Sequence, residues 1–463
     1  MKIPDLSDTI AAISTPIGEG GIGIVRLSGE QALAIAGRVF EPDRGDGPPS
    51  TMATHTVHHG RVMDGDEVVD EVLLTVMHAP RSYTREDVVE IGCHGGVVTV
   101  RRVLELALAH GARLAEPGEF TKRAFLNGRF DLAQAEAVAD IIAAKTEAGQ
   151  RAAEVQLRGD LSREVNEIRE RLADLLTYVE ASIDFVEEDI ELLSRDEMRE
   201  RCEAIGARLQ ELIATAAAGQ VLREGITAAI VGRANVGKSS LMNALLRTDR
   251  VIVTPVPGTT RDVVQETLNI KGIPMRVADT AGMRKSEDVV EAEGVTRSRQ
   301  QMAAADIVLA VLDRSEPLAE DDRELLASIP PGRSLVVLNK SDLPRALPQE
   351  DLPDACGDVR MVETSATERT GLEELEDAIT ELVLGGAVLR TDGVVVTNAR
   401  HKDALIRADD SMRRALSAIE EELSEEFIAS DLRGALDAVG EVVGETLTED
   451  IIERIFATFC IGK

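Results

Sequence analysis

Gly232-Arg-Ala-Asn-Val-Gly237-Lys238-Ser239 is the segment that most restricts how this chain can fold. An apolar run, Ile226 to Val231, precedes it, and Ser240-Leu-Met-Asn-Ala-Leu-Leu follows with the character of a helix. Strand, glycine loop and helix in that order make a phosphate-binding loop. Backbone N–H groups from Gly232 through Asn235, Val236 and Gly237 to Ser240 would surround an anion, and the helix dipole favours negative charge there. Lys238 would reach the β- and γ-phosphates, and the Ser239 hydroxyl would take one position on Mg²⁺. The segment implies a nucleotide without choosing the base.

Three further segments choose it. Asp279-Thr280-Ala281-Gly282 follows Met275-Arg-Val-Ala, where a second strand would end beside the γ-phosphate. Asn339-Lys340-Ser341-Asp342 follows Ser334-Leu-Val-Val-Leu, and Ser365-Ala366 follows Val359-Arg-Met-Val. A carboxylate at Asp342 can accept hydrogen bonds from guanine's ring N–H and exocyclic amino group. Adenine would set a ring acceptor against it and leave a buried charge unpaired. The Ala366 N–H would donate to the guanine carbonyl. Any one of these segments is an ordinary turn after a strand. Together, in this order, they imply a GTP-binding domain.

A length of 463 residues allows about three domains. Cys93, Cys202, Cys356 and Cys460 have no close spacing, which argues against a disulfide framework and a zinc site. The start, Met-Lys-Ile-Pro-Asp, lacks the apolar segment of a signal peptide, and no run reaches membrane-spanning length. A reducing cytoplasm, without a membrane, is the expected location. The formal net charge of −32 argues against a broad nucleic-acid surface, so any RNA contact must be local or borne mainly by a basic partner. With aromatics at 2%, a base-stacking platform is not expected.

Residues 1–120 alternate short apolar strands (Ile22–Leu27, Val68–Met77, Val88–Ile91) with Gly/Pro turns and then a helix, Val97–His110. Gly18-Glu-Gly20-Gly-Ile-Gly23 matches the dinucleotide fingerprint formally, but a strand-like Ile-Val-Arg-Leu follows where that fold needs a helix. A glycine-rich turn is the better account. Residues 121–220 have helical apolar spacing, and the acid-rich part of them reads as a solvated helix face. The GTP-binding block covers 221–389, and 390–463 is helical again. Helices on both sides of a compact α/β unit imply that the unit is inserted into one helical domain.

In Ras-like enzymes a Gln directly after Asp-x-x-Gly positions the attacking water. Here that place holds Met283, so hydrolysis must draw polar groups from elsewhere. Asn235 could place its side-chain carbonyl on a monovalent cation, or could serve only to shape the loop. Residues 253–262, Val-Thr-Pro-Val-Pro-Gly-Thr-Thr-Arg-Asp, would form a loop over the nucleotide whose carbonyls complete the cation's oxygen cage. A cation between the α- and γ-phosphates would neutralise transition-state charge as an arginine finger does. Thr260 would supply the second hydroxyl on Mg²⁺. An acid among Glu287, Asp288, Glu291 and Glu293 could orient the water, and spacing does not choose among them. Arg261 and Arg284 read more simply as solvated loop arginines.

The chain resembles the MnmE (TrmE) family of tRNA wobble-uridine-modifying GTPases nearly end to end. The resemblance rests on Asp8-Thr-Ile-Ala-Ala, Gly20-Gly-Ile-Gly-Ile-Val-Arg26, Pro117-Gly-Glu-Phe-Thr-Lys-Arg-Ala-Phe-Leu-Asn127 and Asp131-Leu-Ala-Gln-Ala-Glu-Ala. Gly258-Thr-Thr-Arg-Asp262, Asn398-Ala-Arg-His401 and the terminal Phe459-Cys-Ile-Gly-Lys463 complete it, the last being the most specific. It implies an N-terminal tetrahydrofolate-binding α+β domain, a discontinuous helical domain and an inserted Ras-like G domain. It also implies homodimerisation through the N-terminal domains and potassium-stimulated GTP hydrolysis. It selects Glu291 as the water-orienting acid and Asn235, Thr254, Val256 and Thr259 as potassium ligands. The folate site would use Arg26, Glu90, Arg129 and Lys463: cations for the glutamate tail, a carboxylate for the pterin's donor edge. Arg129 stands where the family pattern has Lys, with the charge retained.

The implied reaction forms an aminomethyl or carboxymethylaminomethyl group at C5 of the tRNA wobble uridine. A 5-formyl- or methylene-tetrahydrofolate would be the one-carbon donor. It would need the FAD-carrying, NADH-using partner MnmG (GidA) in a heterotetramer or larger assembly. GTP turnover would gate that assembly. Cys460 could be a nucleophile or redox thiol; with no base visible beside it, a small buried residue of a C-terminal helix is the expected role. Two other classes compete: a GTP-switch ribosome-assembly factor, and a folate enzyme acting without RNA. The first usually carries a basic appendage, and none is seen here. The second leaves the guanine-recognition set unexplained.

Overall fold

Alternating apolar and polar residues between Thr56 and Gly95 are the local signal for strands with one buried face. A computed structural model describes residues 8–43, 45, 47–184, 193–248, 267–278, 300–348, 352, 359–385 and 393–463. In it those residues join a sheet made of β1 (Ile10–Ile13), β2 (Gly20–Ser28), β3 (Phe40–Pro42), β4 (Thr56–Asp64), β5 (Glu67–Met77), β6 (Val88–Gly95) and β7 (Arg113–Leu114). The order is β3-β4-β5-β6-β2-β1-β7, antiparallel throughout except for β1 with β7. Helices α1 (Ala32–Val39) and α2 (Val97–Ala109) close its apolar face, where Ile35, Val39, Val100 and Val103 pack with Val25, Leu27, Leu74 and Ile91. The Gly20–Gly23 cluster opens strand β2 and not a helix, as the residues after it require.

Helix α3 (Glu119–Leu126) is fastened to this sheet by a fully buried arginine. Arg123 binds Asp8 Oδ1 at 2.5 Å, Glu119 Oε1 at 3.0 Å and Glu86 Oε1 at 3.3 Å. A buried guanidinium is tolerable only with such partners. The chain continues through α4 (Leu132–Ala143), α5 (Glu147–Leu157), α6 (Asp160–Asp184) and α7 (Arg195–Glu224). Asp131 and Ser194 start α4 and α7 with capping boxes, pairing with Gln134 and Glu197.

After α7 the chain turns at Gly225, whose φ is +74°; a Cβ there would lie 2.3 Å from the Pro274 carbonyl oxygen. A second sheet follows: β8 (Ile226–Val231), α8 (Lys238–Thr248), β9 (Thr267–Ile270), β10 (Ile273–Val277), β11 (Ile307–Asp313), α9 (Glu320–Ser328), β12 (Ser334–Asn339), β13 (Met361–Glu363) and α10 (Leu372–Leu384). Its order is β13-β12-β11-β8-β10-β9, parallel except for β9 with β10. All of β11 is buried, its residues alternating between two apolar clusters on opposite faces. A parallel strand covered on both sides explains the unbroken apolar run. The direction of winding reverses at β8, and ligands of such sheets bind beyond the carboxyl ends of strands at that point.

Helices α11 (Ala399–Glu420), α12 (Glu425–Val443) and α13 (Glu449–Phe456) end the chain. Leu161, Ile168 and Leu172 of α6 and Leu209 of α7 share one core with Leu405 and Met412 of α11 and Leu432 and Val439 of α12. Segments on either side of the second sheet therefore form one helical unit, and the GTP-binding fold is inserted into it. Among the described residues no helix is long and apolar enough to cross a membrane.

The seam between the two halves is polar. Glu136 of α4 accepts from Arg400 Nε and Nη2 at 3.0 and 2.8 Å and meets His401 Nε2 at 2.6 Å. Arg400 also donates to the carbonyl oxygens of Glu441 and Val442 at the end of α12. One turn further along α4, Asp140 Oδ1 accepts from Arg223 Nε at 2.7 Å. Burial pushes the Glu136 carboxyl up, but the facing charges of His401 and Arg400 outweigh it and hold its pKa down to about 2.

Removing one member of such a group leaves the others buried and unpaired. Glu136→Ala should destabilise the helical unit by about 3–5 kcal/mol, read as a lower urea midpoint in far-ultraviolet circular dichroism. An unchanged midpoint would refute the assignment. The pKa is lower folded than unfolded, so the carboxylate's contribution is complete above about pH 4.5 and is lost as pH falls toward 2. The variant's deficit should shrink over that interval.

Candidate functional site

Strand β8 delivers the chain into the loop from Gly232 to Gly237, and α8 begins at Lys238 with its N-terminus facing the loop. Three loop residues have positive φ, Gly232 at +151°, Asn235 at +65° and Gly237 at +98°. Asn tolerates that conformation better than most residues, so it shapes the loop, and its side chain is exposed at the turn. A Cβ on Gly237 would lie 2.2 Å from Asn339 Nδ2, so only glycine fits. The Lys238 ammonium donates to the carbonyl oxygens of Gly232 and Arg233 at 2.7 and 2.6 Å, and burial pushes its pKa down.

Asn339, at the end of β12, is buried and joins the loop of residues 232–237 to the segment 364–366. Its Nδ2 donates to the Val236 carbonyl oxygen at 2.9 Å, while Oδ1 accepts from the Ala366 N–H at 3.2 Å and the Thr364 hydroxyl at 3.3 Å. The next residue, Lys340, has φ +63° and reaches Asp313 Oδ2 at 2.5 Å. Burial raises the Asp313 pKa, but the hydrogen bonds from Lys340 and Ser315 bring it below its ordinary value. Asp342 Oδ1 accepts from Ser365 Oγ at 2.6 Å, which fixes the carboxylate beside Ala366.

The structure thus brings together Gly232, Asn235, Val236, Gly237, Lys238, Ser239, Ser240, Asn339, Lys340, Asp342, Ser365 and Ala366 at one end of the sheet. Thr254, Val256, Thr259, Thr260, Asp279, Thr280, Ala281, Gly282 and Glu291 lie outside the described residues, as do the alternative acids Glu287, Asp288 and Glu293. Sequence reasoning missed two supports. Asp313 was marked only by an acid ending the apolar run of β11. Arg233 binds Asp322 at 2.8 Å and Glu316 at 3.2 Å, tying the loop to α9, and no spacing announces that pair.

A second cluster lies on the N-terminal sheet. Arg26 of β2 and Glu90 of β6 are register partners, and Arg26 Nε and Nη2 bind Glu90 Oε1 at 2.8 and 2.7 Å. The Arg26 guanidinium lies 5.7 Å from the Tyr83 ring centroid and 5.6 Å from that of Phe120. Arg129 sits 4.6 Å from the Tyr83 centroid and donates to the Tyr83 carbonyl oxygen at 2.7 Å. The C-terminal segment reaches the same place: Ser14 Oγ donates to the Gly462 carbonyl oxygen at 3.2 Å, and Arg26 Nη1 contacts that oxygen at 3.5 Å. Lys463 follows directly. Tyr83 and Phe120 were not singled out from the sequence, although the scarcity of aromatics was the available signal.

Cys460 corrects an expectation. It is exposed, and it lies beyond the end of α13 at Phe456, not buried within a helix. Phe456 and Phe459 fill the apolar space against α3 and α4, while the Cys460 carbonyl oxygen accepts from the Gly118 N–H at 3.3 Å. The backbone is anchored and the thiol is left outside.

Two family descriptions match the chain. The family described as "GTP-binding protein TrmE N-terminus" matches residues 9–129, and "MnmE helical domain" matches residues 132–460. A protein of Thermoanaerobacter sp. (strain X514) named "tRNA modification GTPase MnmE" is 49% identical over 98% of this chain and 99% of its own length. Proteins of that name from Alkaliphilus oremlandii (strain OhILAs) and Geobacillus kaustophilus (strain HTA426) are each 48% identical, over 99% and 98% of this chain and 100% and 99% of their own lengths. The match extends through the phosphate loop, the helical unit and the terminal segment alike, and on that ground the chain belongs to the MnmE family.

Proposed function

We propose that this chain is a potassium-activated GTPase that, with a flavin-dependent partner, forms the 5-aminomethyl or carboxymethylaminomethyl group on tRNA wobble uridine. As a member of its family it is a tRNA modification GTPase. The observation that carries the GTPase half is the Asn339 side chain, which holds the phosphate loop and the Ala366 backbone in fixed relation. That relation sets the distance between a triphosphate and a guanine.

Within this reading Asp342 and Ala366 select guanine and Lys238 neutralises the phosphates. Ser239 and Thr260 would hold Mg²⁺, which supplies charge neutralisation at the phosphate oxygens. Asn235, exposed at the loop's turn, suits a ligand to K⁺ together with Thr254, Val256 and Thr259. Glu291 would orient the attacking water in place of the missing Gln.

The N-terminal cluster suits a folate. Alternating guanidinium groups and rings around Tyr83 match a planar heteroaromatic with an anionic tail, and Glu90 offers a carboxylate to a donor edge. A tetrahydrofolate would supply the one-carbon unit, while Arg26, Glu90, Arg129 and Lys463 bind and orient it. Exposed Ile22, Leu73, Val97 and Val98 on the same domain favour burial in a homodimer. The FAD-carrying MnmG partner would carry most of the tRNA, which accords with the net charge of −32. A cytoplasmic location follows from that substrate.

Nucleoside mass spectrometry of tRNA from cells lacking the gene tests the whole reading. The 5-aminomethyl-type wobble uridines should disappear and return on re-expression; unchanged tRNA would refute it. Asp342→Asn removes the charged acceptor for guanine and should weaken GTP binding roughly 100-fold or more, measured with a fluorescent nucleotide. Retained GTP affinity would overturn the assignment of Asp342. Glu291→Ala should lower kcat by about 10²-fold or more while GTP affinity is kept. Hydrolysis at the wild-type rate would return the choice to the neighbouring acids.

A further inference from the structure

The Arg26 guanidinium is the natural candidate to hold a folate's glutamate tail, but the structure pairs it with Glu90 at 2.7 Å. Its charge is largely satisfied within the protein. Further cations lie beside Tyr83. There an open cleft of about 410 Å³ is lined by His55, Met77, Pro80, Arg81, Ser82, Tyr83, Arg85 and Arg129. Three of these residues are arginines and none is Asp or Glu. The chain carries 83 acidic residues against 51 basic ones, so a cleft of this composition marks a site for an anion.

The side chains are also positioned. Arg129 lies over the Tyr83 ring at 4.6 Å and bonds the Tyr83 carbonyl oxygen, so its guanidinium lies against one wall. Arg85 has a left-handed backbone at φ +62° and donates from Nη1 to the Asn127 carbonyl oxygen at 3.0 Å, which ties this exposed side chain to the end of α3. Non-glycine residues held in that conformation cost energy and concentrate where a ligand is bound. Arginine's planar fork suits carboxylates, which it can bind through two parallel hydrogen bonds.

We propose that the cleft of Arg81, Arg85 and Arg129 binds the γ-linked oligoglutamate extension of a folate whose ring system lies at the Arg26–Glu90 cluster. The proposal rests on the folate reading above and adds a specificity to it. Arg129 stands at the junction, touching the ring on which Arg26 also lies. Arg81 and Arg85 then meet the carboxylates of the second and later glutamates, one charge per residue. A one-glutamate folate would not extend to them.

Isothermal titration of the full-length protein with the mono- and pentaglutamate forms of 5-formyltetrahydrofolate tests this. The pentaglutamate should bind at least tenfold more tightly, and the difference should narrow as sodium chloride is raised. Arg81→Ala with Arg85→Ala should bring the pentaglutamate to the affinity of the monoglutamate, and Arg81→Glu should do so alone. Circular dichroism would verify that each variant folds. Equal affinity of the two forms for the wild-type protein would overturn the tail site and leave the folate reading standing. A preference that survives in the variants would overturn it as well. Binding of neither form would overturn both. If the variants lose affinity for tRNA while keeping the preference, the cleft is an RNA contact and the proposal falls.

Discussion

The group of Glu136, Arg400 and His401 is the constraint on which the architecture depends. Glu136 belongs to the helical segment before the GTP-binding fold, and its two partners belong to the segment after it. Apolar packing alone would let the two segments slide against each other, because a hydrophobic contact has no fixed register. A buried carboxylate with three contacts at 2.6–3.0 Å permits one arrangement. The cost of misplacing it is an unpaired buried charge, which is large compared with the marginal stability of a domain. Insertion of a whole folding unit is tolerated here because the host domain fixes its halves independently of what lies between.

Asn339 does in the nucleotide fold what Glu136 does in the helical one, with an amide in place of a charge. An amide can donate on one side and accept on the other, and Asn339 uses both faces, on Val236 and on Ala366. Its neighbour Gly237 is pressed so close that no side chain fits. The loop of residues 232–237 and the Ser365-Ala366 turn are therefore held as one rigid object. A carboxylate at this place could not donate to the Val236 carbonyl oxygen, and an apolar residue would leave buried backbone groups without partners. The residue type follows from the two bonds it must make.

How much of this was legible beforehand differs with the physics involved. Strands of the nucleotide fold could be read because three recognition segments each follow an apolar run, and burial on both faces makes such runs continuous. Insertion could be read because helical spacing resumes after Asn398. The pairing of Glu136 with Arg400 could not, since 264 residues separate them and no local pattern links a carboxylate to a distant guanidinium. The same holds for Arg233 with Asp322. Cys460 was misread because a short apolar segment near the terminus resembles a helix, whereas Phe459 supplies the burial and Gly462, at φ +89°, turns the backbone.

The placement of these bonds also limits how the GTP-binding fold can move. Arg223, in the last turn of α7, is held by Asp140, and Arg400, in the first turn of α11, is held by Glu136 one turn away on α4. Entry to and exit from the inserted fold are thus fixed to a single helix. Thr146, just ahead of α5, adds a third tie through its hydroxyl to the Gly272 carbonyl oxygen at 2.8 Å. A change of orientation that left these helices packed would have to be absorbed at Gly225, where the chain enters the inserted fold. Gly225 alone links a 30-residue helix to the strand that carries the phosphate loop. A rotation at that residue would have to open the Thr146 bond to Gly272, but it would carry the nucleotide fold as a rigid body and leave intact the pairs that hold the helical unit together.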